Sequence, residues 1–187
     1  MKPHTFDGSI RALRRAWPHA LLLALAMPLA APAQDVQLGL SIGDGGAFHS
    51  GNFISAQVSA SRAFGSALAL ESGWELQTRG TISLGMLRGE GETGTVATLG
   101  PDVVLQEAGA DRGWLLHAGI HPTLISETEF GTRRLGSSLQ FTTYAGVGFR
   151  LGPEHSLLFH VQHMSNADLD PENDGVNQIV LSYRRHL

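Results

Sequence analysis

The sequence predicts an all-β fold, an eight-stranded antiparallel transmembrane β-barrel, on three observations. Period-two alternation of apolar and small polar residues recurs from residue 34 onward, and no long segment there repeats apolar residues at helical spacing. Charged residues make up only 16% of the chain, against roughly 25% in soluble domains. The N-terminus reads as an export signal: Lys2, Arg11, Arg14 and Arg15, then the apolar run 20–29, then Ala31-Pro32-Ala33 as a small-x-small cleavage site. That run falls short of the ~20 apolar residues a spanning helix needs, and no later stretch approaches it, so membrane insertion is expected to be by strands. Residues 1–33 are thus expected to be a signal peptide and 34–187 one barrel domain, since the remainder suffices for one domain and not for two.

The strands follow in order. Val36, Leu38, Leu40 and Ile42 alternate with Gln37, Gly39, Ser41 and Gly43; Ile54, Ala56, Val58 and Ala60 alternate with Ser55, Gln57, Ser59 and Ser61. In the third, Leu68, Leu70, Trp74 and Leu76 share a face; the fourth lies within 95–106, and the fifth runs from Trp114 to about Ile125. The sixth sets Leu139, Phe141, Thr143, Ala145, Val147, Phe149 and Leu151 against Gln140, Thr142, Tyr144, Gly146, Gly148 and Arg150. The seventh covers 156–165 and the eighth 177–186. Each strand has one apolar and one small, polar face, which suits a lipid-facing exterior around a narrow hydrogen-bonded lumen. Alternation says which residues share a face and not which face meets lipid, so a soluble sandwich or lipocalin-like barrel is the competing architecture.

Small outer-membrane barrels have short periplasmic turns and long outer loops. Segments 63–66, 108–112 and 152–155 read as the short set; 85–94, 126–136 and 166–176 read as the long set, with 49–52 a short exception. This orientation puts the His163 end of the seventh strand at the outer surface.

Composition narrows the function. The net charge of −4 with mixed signs provides no basic stripe for nucleic acid, and the absence of cysteine excludes a disulfide-stapled secreted module. His160 and His163 fall on opposite strand faces, and His117 and His121 are about 13 Å apart at ~3.3 Å per residue. Neither a metal site nor a cofactor is expected. Trp74, Trp114, Phe130, Tyr144 and Tyr183 are candidates for an interfacial aromatic belt.

The chemistry concentrates in His163-Met164-Ser165-Asn166-Ala167. Two residues apart on a strand means one face and Cα atoms roughly 6.5–7 Å apart, so imidazole and hydroxyl can meet. Both fall on the apolar face with Leu157, Phe159 and Val161, and across a hairpin Asn177 neighbours them on that face. A polar triplet on a lipid-facing surface bears a desolvation cost that plain scaffold has no reason to carry. Ser165 becomes nucleophilic when His163 takes its proton, and a third group must orient the imidazole. Asn166, or backbone amides of the following turn, can donate to an oxyanion. These parts describe a carboxylic ester hydrolase whose substrate approaches sideways from the bilayer.

His163-Met164-Ser165-Asn166-Ala167, then Pro171, Asn173-Asp174-Gly175 and a closing strand, resembles the signature of PagL-type lipid A 3-O-deacylases. The resemblance implies an eight-stranded outer-membrane barrel with its site on the outer face, removing the ester-linked 3-hydroxyacyl chain at position 3 of lipid A. It implies His163 as base, Ser165 as nucleophile and Asn166 as oxyanion donor, with lipid A or lipopolysaccharide as partner; a homodimer is left open. Two positions depart from the family pattern: Asn177 stands where it has glutamate, and Asp168 where it usually has glycine. Three outcomes follow: Asn177 orients His163 through its carbonyl oxygen; a carboxylate of Asp168, Glu172 or Asp174 takes over; or the protein is a catalytically inactive structural or adhesive barrel.

Overall fold

The computed structural model describes residues 36–48 and 51–187; the expected signal peptide lies outside them. Eight long strands run in order: β1 (Val36–Asp44), β2 (Ile54–Ala63), β3 (Trp74–Gly89), β4 (Glu92–Glu107), β5 (Gly113–Ile125), β6 (Leu139–Arg150), β7 (His155–Ser165) and β8 (Val176–His186). Each pairs antiparallel with its sequence neighbours, and β1 also pairs with β8, Leu40 facing Tyr183, so the sheet closes on itself. Closure leaves no open edge.

The two faces have opposite chemistry. Leu38, Leu40, Ile42, Ile54, Val58, Ile82, Leu84 and Met86 are exposed on the outside, while Ser55, Ser61, Thr81, Ser83, Thr98, Asp102, Thr142 and Gln178 are buried inside. A soluble barrel has the reverse arrangement. An apolar exterior around a polar interior is a membrane barrel, because only lipid covers that exterior favourably. Inside, Ser83 bonds Thr98 at 2.7 Å, Thr81 donates to Asp102 at 2.5 Å, His121 meets Asp102 at 2.7 Å, and Gln162 donates to Gln178 at 2.8 Å. The lumen is narrow: a Cβ at Gly119 would lie 2.5 Å from Asp102 Oδ1 and 2.7 Å from the Tyr144 ring.

At the end away from the termini an apolar plug replaces this polar filling. Phe53, Leu87, Val96, Ile125, Phe130, Leu135, Met164 and Val176 form one buried cluster. Its centre is an edge-to-face pair of Phe53 and Phe130, with ring centroids 5.3 Å apart. Phe130 and Leu135 come from the β5–β6 connection, which folds into a short ribbon of Glu129–Phe130 against Arg133–Arg134.

Several expectations need correction. β3 begins at Trp74, and Leu68–Ala69 is a separate two-residue piece pairing with its start, so 64–73 is a long connection where the short turn 63–66 was expected. The expected long loop 85–94 lies within β3 and β4, joined by a tight turn at Glu90-Gly91 with Gly89 facing Glu92. Both turn residues have positive φ, 50° and 98°, as a type I′ hairpin turn requires. Strand length here is set by pairing across the barrel, which local composition does not report. The first distal connection, 45–53, is also longer than expected. Among the aromatics, Phe130 is in the plug, and Tyr144 faces the lumen and donates to Asp102. Trp114 and Tyr183 do face outward.

Candidate active site

The β-pattern of β7 puts Leu157, Phe159, Val161 and His163 outside and Leu158, His160 and Met164 inside. Register then brings His163 and Asn177 together on the outer face. His163 faces Asn177 on β8 and Thr143 on β6, and Ser165 faces Phe141. Nδ1 of His163 is 2.8 Å from Oδ1 of Asn177. An amide oxygen accepts only, so Nδ1 carries the hydrogen and the lone pair of the neutral ring lies on Nε2.

The three carboxylates considered as alternatives to Asn177 are engaged elsewhere. Asp168 accepts from Asn173 Nδ2 at 3.0 Å, Glu172 pairs with Arg134 at 2.8 Å, and Asp174 accepts from the Arg134 backbone amide at 2.7 Å. The Glu172 carboxylate raises the Arg134 guanidinium pKa above its ordinary value.

Asn166 differs from its expected use. It is fully buried, and its Nδ2 donates to Leu135 O at 3.0 Å and to Glu172 O at 2.7 Å. The side-chain amide that was to meet an oxyanion is thus committed to two loop carbonyls, where it ties the β7–β8 connection to the β5–β6 connection. The chain next makes a tight turn, with Leu169 N donating to Asn166 O at 3.1 Å. Ala167 and Asp168 have φ of 53° and 59°, left-handed values that cost roughly 1–2 kcal/mol for a residue with a Cβ. Asp168 therefore adopts the backbone shape for which glycine is the unstrained choice, with its carboxylate held by Asn173.

Beside His163 the outer surface carries a groove lined by Phe48, Thr143, Ala145, Val161 and Asn177. Phe48 ends a one-turn 3-10 segment, Gly46–Phe48, in the β1–β2 connection. Thr143 and Ala145 are small outward residues of β6. Asn177 was singled out from sequence, but Phe48, Thr143 and Ala145 were not, although the register pairing His163 with Thr143 and Val161 with Ala145 would have found two of them.

Comparison with known proteins covers most of the barrel. Residues 54–186 match the family model described as Lipid A 3-O-deacylase (PagL). The Lipid A deacylase PagL of Bordetella bronchiseptica is 37% identical over 68 residues, which is 36% of this chain and 38% of that protein. The Lipid A deacylase PagL of Pseudomonas aeruginosa is 34% identical over 84 residues, 45% of this chain and 49% of that protein. The chain thus spans less than half the length of these curated relatives. A crystal structure of the outer membrane enzyme PagL superposes with a TM-score of 0.71 over 81% of this chain and 99% of that chain. At 24% identity that likeness speaks to the fold. Since the family match runs from β2 to the last residue of β8, across the strands that carry His163, Ser165 and Asn177, the chain belongs to the lipid A 3-O-deacylase (PagL) family.

Proposed function

We propose that this protein is an outer-membrane lipid A 3-O-deacylase, exported by residues 1–33 and oriented with the His163 end of the barrel outward. The observation that carries the reading is the His163–Asn177 hydrogen bond on the lipid-facing surface, two residues before Ser165. With Nδ1 held by Asn177, Nε2 is the ring nitrogen left to act as the base for Ser165. Ser165 Oγ attacks the ester carbonyl of the acyl chain as Nε2 takes its proton. The tetrahedral oxyanion is met by backbone amides of the turn after Ser165, a turn that Asn166 fixes in place. Collapse expels the sugar 3-oxygen, which takes the proton back from His163. Water activated by the same imidazole then releases the 3-hydroxy fatty acid from Ser165.

A site on the exterior of a barrel suits such a substrate, because the ester of a membrane lipid lies beside the protein and needs no extraction into water. The groove along Thr143, Ala145 and Val161 offers the acyl chain an apolar bed. Mass spectrometry of lipid A from cells expressing the protein tests the proposal. The wild type is expected to yield lipid A lacking one 3-hydroxyacyl chain, and Ser165→Ala to yield intact lipid A with the barrel still folded. Intact lipid A from both would favour the structural or adhesive reading.

A further inference from the structure

We infer that Arg133, outside the His-Ser-Asn set, is a positioning residue for His163, an inference that rests on the deacylase reading above. Arg133 Nη1 donates to the Gly175 carbonyl at 3.2 Å and to the Asp174 carbonyl at 3.3 Å. These two residues immediately precede β8. Gly175 has φ of 60°, and a Cβ there would lie 3.1 Å from Cε1 of His163 and 3.8 Å from its Nε2. The Gly175 backbone therefore runs beside the Cε1 corner of the imidazole, and Asn177, two residues later, holds Nδ1 at 2.8 Å. One short segment brackets the ring, and Arg133 pins that segment.

The pin has a firm base. Arg133 belongs to the ribbon whose neighbouring Phe130 and Leu135 are fully buried in the distal plug. A second strap runs parallel to it, with Asp174 N donating to Arg134 O at 3.1 Å and Arg134 N to Asp174 Oδ2 at 2.7 Å. The main chain thus already ties the two connections together at Asp174, and Arg133 adds a link at Gly175, the residue beside the ring. Its contribution matters more here than it would beside a carboxylate. A hydrogen bond from the imidazole to a neutral amide holds the ring less firmly than one to a charged acceptor, so placement of the ring rests more on its walls.

The test compares Arg133→Ala and Arg133→Lys in the otherwise intact barrel, purified in detergent and assayed on lipid A micelles, with each variant's fold checked by its heat-modifiable gel mobility. Arg133→Ala is expected to lower kcat about tenfold, since small misplacements of a reacting group carry large rate costs. KM should stay within about twofold, and Arg133→Lys, which keeps a donor, should recover most of the loss. In an Asn177→Glu background the effect of Arg133→Ala should shrink to under about threefold, because a charged orienter makes the pin redundant. An unchanged kcat, or a tenfold loss that persists undiminished in the Asn177→Glu background, would overturn the inference. Imidazole nitrogen NMR signals of His163, assigned through His163→Gln, provide a readout independent of turnover. Arg133→Ala should shift or broaden them and leave the lumenal histidines unmoved. If the wild type proves inactive on lipid A, the deacylase reading fails, and an undisturbed His163 signal in Arg133→Ala is what would then sink the positioning role.

Discussion

On the proposed mechanism, the identity of the residue orienting His163 controls how much catalysis the site can deliver. In the serine-protease triad, changing the acid to its amide cost about 10⁴ in rate through the wrong imidazole tautomer. Here Oδ1 of Asn177 faces Nδ1 at 2.8 Å, so the productive tautomer is retained and what is missing is the charge that would stabilise the imidazolium. Hydrogen bonds to charged groups are worth about 1.5–3 kcal/mol against about 1 for neutral ones. Asn177→Glu is therefore expected to raise kcat by roughly 10-fold, and by less than 100-fold, at about 1.4 kcal/mol per factor of ten. The lipid A deacylation assay measures it directly; a rate equal to or below wild type would contradict the missing-charge argument, and a gain near the roughly 10⁴ of a tautomer switch would contradict the retained tautomer. Asn166 carries a different lesson at the same scale. Its motif position suggested a chemical donor, and its burial between Leu135 O and Glu172 O makes it a loop clamp. A motif preserves residue identity and is silent on which partner occupies the amide.

At the scale of elements, the β5–β6 ribbon links the plug to the site. Phe130 fills the distal end of the lumen against Phe53, and three residues later Arg133 reaches the Gly175 backbone. Phe130→Ala removes a fully buried ring and is expected to cost about 3–5 kcal/mol, the range for large aromatic truncations in packed cores. Urea unfolding of the detergent-solubilised barrel checks this; a loss below about 1 kcal/mol would mean the ribbon is not packed as described. The ribbon was illegible in the sequence. Glu129-Phe130 and Arg133-Arg134 are too short for periodicity to show, and Phe130 among charged residues resembles a surface aromatic. Strands β6 to β8, by contrast, were readable to within a residue or two at each end, because their alternation is long and unbroken.

At the scale of the molecule, the inverted sidedness of the barrel puts the proposed reaction at the lipid boundary. Ile82 stands near the middle of β3 on the outer face. Ile82→Lys is expected to destabilise the membrane-inserted barrel by about 2–4 kcal/mol, the cost of a basic side chain on the lipid face near the bilayer midplane. Refolding into lipid vesicles under a urea titration measures it. A neutral effect would argue that this face does not meet hydrocarbon. The same sidedness explains why a polar group such as His163 is tolerated outside. It sits near the distal end of β7 with its Nδ1 satisfied by Asn177, and not at mid-strand among Leu157, Phe159 and Val161.

The sequence by itself determined the alternation, hence the all-β class, the eight strands, and the shared face of His163 and Ser165. Those are properties of the extended backbone, whose side chains alternate whatever the strand pairs with. Only the tertiary structure decided which face meets lipid, that Asn177 and not Asp168, Glu172 or Asp174 holds Nδ1, and that Arg133 holds the carbonyls of Asp174 and Gly175, the latter beside the ring. Each of these depends on closure, register or loop docking between residues far apart in the chain. Contacts of that kind are chosen by packing and hydrogen-bond satisfaction across the whole barrel, and no local run of residues encodes them.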